Sequence, residues 1–222
     1  MRIIIIQDGG GVPEYIPALR DRPVPATGGR DAFFAFIEQE LKPAIARLAP
    51  IDRQCQTLFG HSLGDLFALH IMYTDAEAFQ TYVAADPSIW WNAGSILTEQ
   101  ARFIAARQDG RSSGSIDLLI ETSGKKTVRQ GLSESEAAQL ARLRSGPTGE
   151  DVAAALTGLP GLCVAFRKHT SETHGSMVPY AVEDALSLSI NPPAGERYCR
   201  DTSKARTVWQ SGRSGFRSMT WY

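Results

Sequence analysis

Ser62 stands between two glycines in Gly60-His61-Ser62-Leu63-Gly64, and four histidines elsewhere in the chain could serve it as a base. A serine hydroxyl is scarcely ionised at neutral pH, so it becomes a nucleophile only beside a proton acceptor. The Gly-x-Ser-x-Gly pattern is weak alone, and Gly110-Arg111-Ser112-Ser113-Gly114 matches it too. Context separates the two. Before Ser62 runs the apolar Gln56–Phe59 stretch, and after it a helical stretch burying Leu66, Phe67, Leu69 and Ile71. Strand, sharp turn and helix form the nucleophile elbow of an α/β-hydrolase, which lifts a serine above the sheet edge. The second match lacks both neighbours.

In that fold the order is serine, acid, histidine, with the histidine on the last strand–helix loop. His174, in Glu172-Thr173-His174-Gly175-Ser176, has that place, so it is the expected general base and acid. His61 adjoins the nucleophile and is expected to point away from it and pack. His70, eight residues into the elbow segment, reads as structural, and His169 as an exposed residue of a polar run. Glu121, at the end of one strand, is the first candidate to orient His174, and Asp86, at the end of the preceding strand, is the alternative. Glu172 is too near His174 in sequence to orient it. The amide of Leu63 is one expected oxyanion donor. Gln7-Asp8-Gly9-Gly10-Gly11 supplies either a second, at Gly10, or merely a turn.

The elements that must hold these groups alternate. Apolar strands are expected at 2–6, around 57–60, at Thr81–Ala85, Ile116–Glu121 and Leu162–Arg167. Helices are expected from Asp31, kinked or interrupted at Pro43, then after the Ser62 turn, and over 95–107 and 133–144, the last with a Ser133/Glu136 capping box. Two more cover 148–156 and 176–190. Short apolar strands separated by helices predict an α/β fold with a mostly parallel sheet and helices on both faces. Residues 1–190 are expected to form one α/β-hydrolase-like domain, short at its N-terminus. Residues 191–222, with six Lys and Arg and no clear apolar period, read as a poorly ordered basic extension.

Composition bounds the function. A 43% hydrophobic, 21% charged chain of 222 residues is globular, and a net charge of −1 favours neither nucleic acid nor an anionic membrane. Three scattered cysteines imply no disulfide framework; Cys55 and Cys163 read as core thiols, and no metal pattern is visible. No apolar run reaches the ~20 residues that span a bilayer, and no secretory leader is evident. As given, the chain reads as cytoplasmic, or as periplasmic if residues precede Met1.

Several separated stretches together resemble a known family. Phe59–His70, Asp31-Ala32-Phe33 to Glu40-Leu41-Lys42-Pro43, Asp86-Pro87-Ser88-Ile89-Trp90-Trp91-Asn92 and His174-Gly175-Ser176 are similar to the putative-esterase family. That family holds the esterase D, antigen 85 and siderophore-esterase types, and the likeness is to the last. It covers about residues 28–190. It implies a serine esterase working through an acyl-enzyme, with a small-molecule ester, catecholate siderophore esters among them, as substrate and no cofactor. It also implies that Trp90 or Trp91 lines the cleft. Asp65 departs from the family's glycine. A thioesterase or acyltransferase on the same site, or a catalytically impaired binding protein, are the alternatives.

Overall fold

The computed structural model describes residues 29–112, 114–125 and 131–190, and the short segments 209–211 and 216–218. Its centre is a four-stranded sheet of β1 (Thr57–His61), β2 (Thr81–Ala85), β3 (Ile116–Lys125) and β4 (Leu162–Thr173), ordered β1-β2-β3-β4. Every pairing is parallel, with Leu58 beside Tyr82, Tyr82 beside Leu118, and Leu118 beside Val164. The sheet therefore places all four strand C-termini along one edge.

Side-chain alternation divides the core into two layers. Leu58, Tyr82, Ala84, Leu118, Ile120 and Val164 face one side, where they pack with α3 (Leu63–Thr74), α4 (Ile96–Gln108) and α6 (Gly149–Leu156). Phe59, Val83, Ala85, Leu119 and Ala165 face the other and meet Met177, Ala181 and Ala185 at and along α7 (Val178–Ile190). Both faces are covered, as the apolar strands predicted. Helix α5 (Glu134–Leu143) begins with the expected capping box, and a second one, Thr148 with Asp151, starts α6.

The helix at 30–48 runs on past Pro43, with its irregularity just before the proline. Helix α1 (Arg30–Phe36) passes through a π-helical turn, Ile37–Leu41, into α2 (Lys42–Leu48). Proline lacks an amide and crowds the carbonyl four residues back, and the wider turn just before it relieves that conflict.

Strand β4 runs past Arg167 to Thr173, pairing Thr122 with Lys168 and Ser123 with His169. Its apolar signal ended at Arg167, but ladder hydrogen bonds need no apolar side chains. Gly124 is required at the irregularity beyond Ser123, because a Cβ there would lie 2.4 Å from Thr170 Cα. Cys163 on β4 is 3% exposed and belongs to the core, as expected, while Cys55 is half-buried. The expected 2–6 strand, the Gly9–Gly11 loop and most of 191–222 lie outside the described residues. From the last segment, β5 (Trp209–Ser211) and β6 (Phe216–Ser218) pair antiparallel.

Among the described residues, no helix is long and apolar enough to cross a membrane.

Candidate active site

The elbow begins with a steric demand at Gly60. A Cβ there would lie 2.0 Å from the Gly64 carbonyl oxygen and 2.6 Å from the Asp65 amide nitrogen. Without it, α3 could not start so close to β1. Between them Ser62 adopts φ 62°, ψ −114°, a conformation costly for any residue but glycine. Its amide is anchored to the Ala85 carbonyl at 3.0 Å. The next residue, Leu63, opens α3, so its amide has no acceptor within the helix and is available to an oxyanion.

The second strand end supplies a candidate acid. Asp86 follows β2 with φ 56°, and its Oδ2 accepts the Nδ1 proton of His174 at 2.6 Å. The Ser123 amide donates to Oδ1 at 2.9 Å, and the Ser123 hydroxyl to Oδ2 at 2.7 Å. Burial pushes this carboxyl up, but the bonds from His174 and Ser123 outweigh it and hold Asp86 below its ordinary value. It is therefore a carboxylate at neutral pH. Because it holds the Nδ1 proton, His174 presents its Nε2 lone pair as the basic atom.

His174 lies on the turn between β4 and α7 and is partly exposed. His61 does not point away, as expected, but stacks on it with ring centroids 4.5 Å apart. Its Nε2–H donates to the His174 carbonyl at 2.9 Å, tying the base's backbone to the residue before Ser62. Burial is the main cause that lowers His61 below its ordinary value. Neither its adjacency to Ser62 nor the residue type signalled this bracing role.

Ser62 Oγ lies 3.4 Å from Ser88 Oγ, its hydrogen-bond contact among the described residues. Hydrogen bonds to a nucleophile are commonly loose before substrate binds. Ser88 was missed in the sequence; its place two residues after Asp86 is the available signal.

Glu121, the first-choice acid, is not brought to His174. Period-two alternation turns it onto the α7 side, where its Oε1 accepts the His169 Nε2 proton at 2.9 Å. His169 is accordingly no surface residue, its side chain being 8% exposed. Arg167 pairs with Asp184 of α7 beside them. Burial raises Glu121, and burial and Glu121 together push Asp184 up to about 7. His70 is structural as expected, bonded to Glu99 of α4 at 2.7 Å and to Asp31 of α1 at 3.0 Å.

The paired tryptophans divide. Trp91, 6% exposed, belongs to the core because its ring packs into the larger apolar layer, so it does not line a cleft. Trp90 is half-buried with the Arg144 guanidinium 5.1 Å above its ring. Gly10 lies outside the described residues.

Parallel strands, helices on both faces and a strained serine between β1 and α3 define an α/β-hydrolase-like fold. Residues 1–144 match the family described as Putative esterase. The chain belongs to that family.

Among curated proteins it is 35% identical over 171 residues to the ferri-bacillibactin esterase BesA of Bacillus subtilis, covering 77% of this chain and 55% of that one. It is 33% identical over 177 residues to the siderophore enterobactin esterase of Emericella nidulans, covering 75% and 58%. Among solved structures, the siderophore hydrolase EstA of Aspergillus nidulans superposes with a TM-score of 0.62 at 33% identity. That match covers 82% of this chain and 64% of EstA. The BES protein of Bacillus cereus gives 0.61 at 31%, covering 81% and 61%. The chain thus spans little more than half the length of these curated relatives.

Proposed function

We propose that the protein is a serine hydrolase that cleaves carboxylic esters of siderophores, catecholate esters among them, through an acyl-enzyme. The observation that carries this reading is the 2.6 Å Asp86–His174 bond beside a serine held at φ 62°. Ser62 Oγ attacks the ester carbonyl as His174 Nε2 takes its proton. The Leu63 amide stabilises the oxyanion, and collapse expels the alcohol, protonated by His174. Water then attacks the acyl-serine with His174 again as base, releasing the acid and restoring Ser62. Asp86 stays ionised and supports the imidazolium throughout. The relatives' names point to the substrate class, and Trp90 offers a half-buried aromatic face to a flat substrate ring.

One observation favours an impaired binding protein instead: among the described residues, Ser62 Oγ has its hydrogen-bond contact with Ser88 and not with His174. A fluorophosphonate probe decides between them. Labelling of wild type that is lost in Ser62→Ala supports the hydrolase. An unlabelled wild type, under conditions that label a related esterase, supports the binding protein. Hydrolysis of a catecholate siderophore triester, followed by chromatography of the released acids, then tests the substrate class.

A further inference from the structure

The buried polar cluster behind the strand ends takes no part in the ester chemistry. Glu121 of β3, His169 of β4 and Asp184 of α7 each offer one ligand atom, and these atoms lie within 4.8 Å of one another. Glu121 is 0% exposed, and while its Oε1 is bonded to His169, its Oε2 has no hydrogen-bond donor among the described residues. Asp184 is held by Arg167 through Oδ2. Arg167 bonds Asp184, and the buried Glu121 carboxyl is left facing the Asp184 carboxyl, a like pair that burial makes costly.

We propose that Glu121, His169 and Asp184 bind a divalent transition-metal ion, Zn2+ or Mn2+, as a structural clamp. Two carboxylates and an imidazole suit such ions, and a tetrahedral ion about 2.1 Å from each ligand atom sets those atoms about 3.4 Å apart. The cluster would contract by up to about 1.4 Å, a movement that side-chain torsions can supply. The His169 ring proton moves to Nδ1, freeing Nε2 for the metal, and the orphaned Glu121 Oε2 gains a cation. Arg167 keeps Asp184 oriented, as outer-sphere partners of metal ligands do. Two of the ligands, at 169 and 184, bracket the turn that carries His174, so the ion would fasten both ends of the segment that presents the base.

The test uses the full chain stripped with a chelator, then dialysed against ZnCl2 or MnCl2 and measured by elemental analysis. Wild type should hold roughly one equivalent and melt at a higher temperature with metal than without it. Co2+ should give a visible absorption band that His169→Ala abolishes. Glu121→Gln and Asp184→Asn should each weaken binding by about tenfold or more. Asp184 is the more accessible of the two, so its variant serves if Glu121→Gln does not fold. His174→Ala should keep its equivalent. The proposal is overturned if wild type holds under about a tenth of an equivalent, if Asp184→Asn binds normally, or if His174→Ala loses the ion, which would place it at the active site.

Discussion

Asp65 should destabilise this protein, and replacing it with alanine should make the fold more stable at neutral and alkaline pH. Its side chain is 0% exposed in the first turn of α3, and neither carboxylate oxygen has a satisfactory hydrogen-bond partner among the described residues. Burial, followed by the nearby Asp86 charge, raises it well above its ordinary value of 3.8, opposed by the Ser88 amide. Two effects compete. A carboxylate near a helix start gains about 0.3–1 kcal/mol from the helix dipole. A buried polar group without partners costs about 1–3 kcal/mol, more when charged, so burial wins. Alanine is also the better helix former, by about 0.5 kcal/mol. The expected gain is about 1–3 kcal/mol, or roughly 2–10 °C in Tm for a chain of this size. The sign with pH follows from linkage. A carboxyl raised on folding carries no penalty below its unfolded value, and it withdraws stability progressively as pH rises above that value. The advantage of Asp65→Ala should therefore widen between pH 5 and pH 8.5, measured by thermal melts of both proteins in matched salt. An alanine variant equal to or less stable than wild type at pH 8.5, or an advantage that narrows with pH, would refute the reasoning.

Four further outcomes follow from the site. Ser62→Ala and His174→Ala should each lower kcat on the order of 10³-fold or more on an activated ester, with melting temperatures near wild type. Asp86→Asn removes the carboxylate that fixes the His174 tautomer and should cost on the order of 10³-fold or more in kcat, at least tenfold more than Glu121→Gln does. A larger loss in Glu121→Gln than in Asp86→Asn would show that Glu121, not Asp86, acts on the base. Ser123→Ala deletes one of the bonds that hold Asp86 below its ordinary value, so the acid limb of the kcat profile should move to higher pH with KM little changed. Gly60→Ala places a methyl 2.0 Å from the Gly64 carbonyl and should cost at least about 3 kcal/mol, read as a depressed Tm or loss of soluble protein.

The candidate nucleophile and base were legible because local sequence sets where they stand. Gly60 and Gly64 permit one tight strand–helix turn, and His174 follows the last apolar strand. The acid was not legible, because its choice rests on which way two strand ends point. Glu121 continues β3 in register with Ala85 and Arg167, so period two commits it to the α7 face. Asp86 lies one residue past β2, where a positive φ frees it from that alternation and aims its carboxylate at His174. No composition signal distinguishes those states. His169 was misplaced for a related reason. A polar run can still be a strand when its backbone finds a partner. Of the two tryptophans, the packing around each, not its place after a strand, makes Trp91 core.

The site also explains why the sheet must be parallel and in this order. Ser62 follows β1, Asp86 follows β2, Ser123 sits near the end of β3, and His174 follows β4. Each strand contributes one group at the same edge, and these groups touch: Ser62 N to Ala85 O and Asp86 to Ser123 across neighbouring strands, and Asp86 to His174 across β3. A one-residue slip of β2 against β3 would move the Asp86 carboxylate by about 3.3 Å, well beyond hydrogen-bond tolerance, and would turn Val83 and Ala85 out of the α7 layer. The apolar register that buries Phe59, Val83 and Leu119 against α7 is therefore the same constraint that aligns the acid with the base. Core substitutions on that layer should accordingly lower kcat before they unfold the chain: Val83→Ala, far from any reacting atom, should reduce kcat severalfold at temperatures well below its Tm. A Val83→Ala enzyme that loses stability but keeps its full rate until it melts would show that the strand ends are aligned by their own hydrogen bonds rather than by the core.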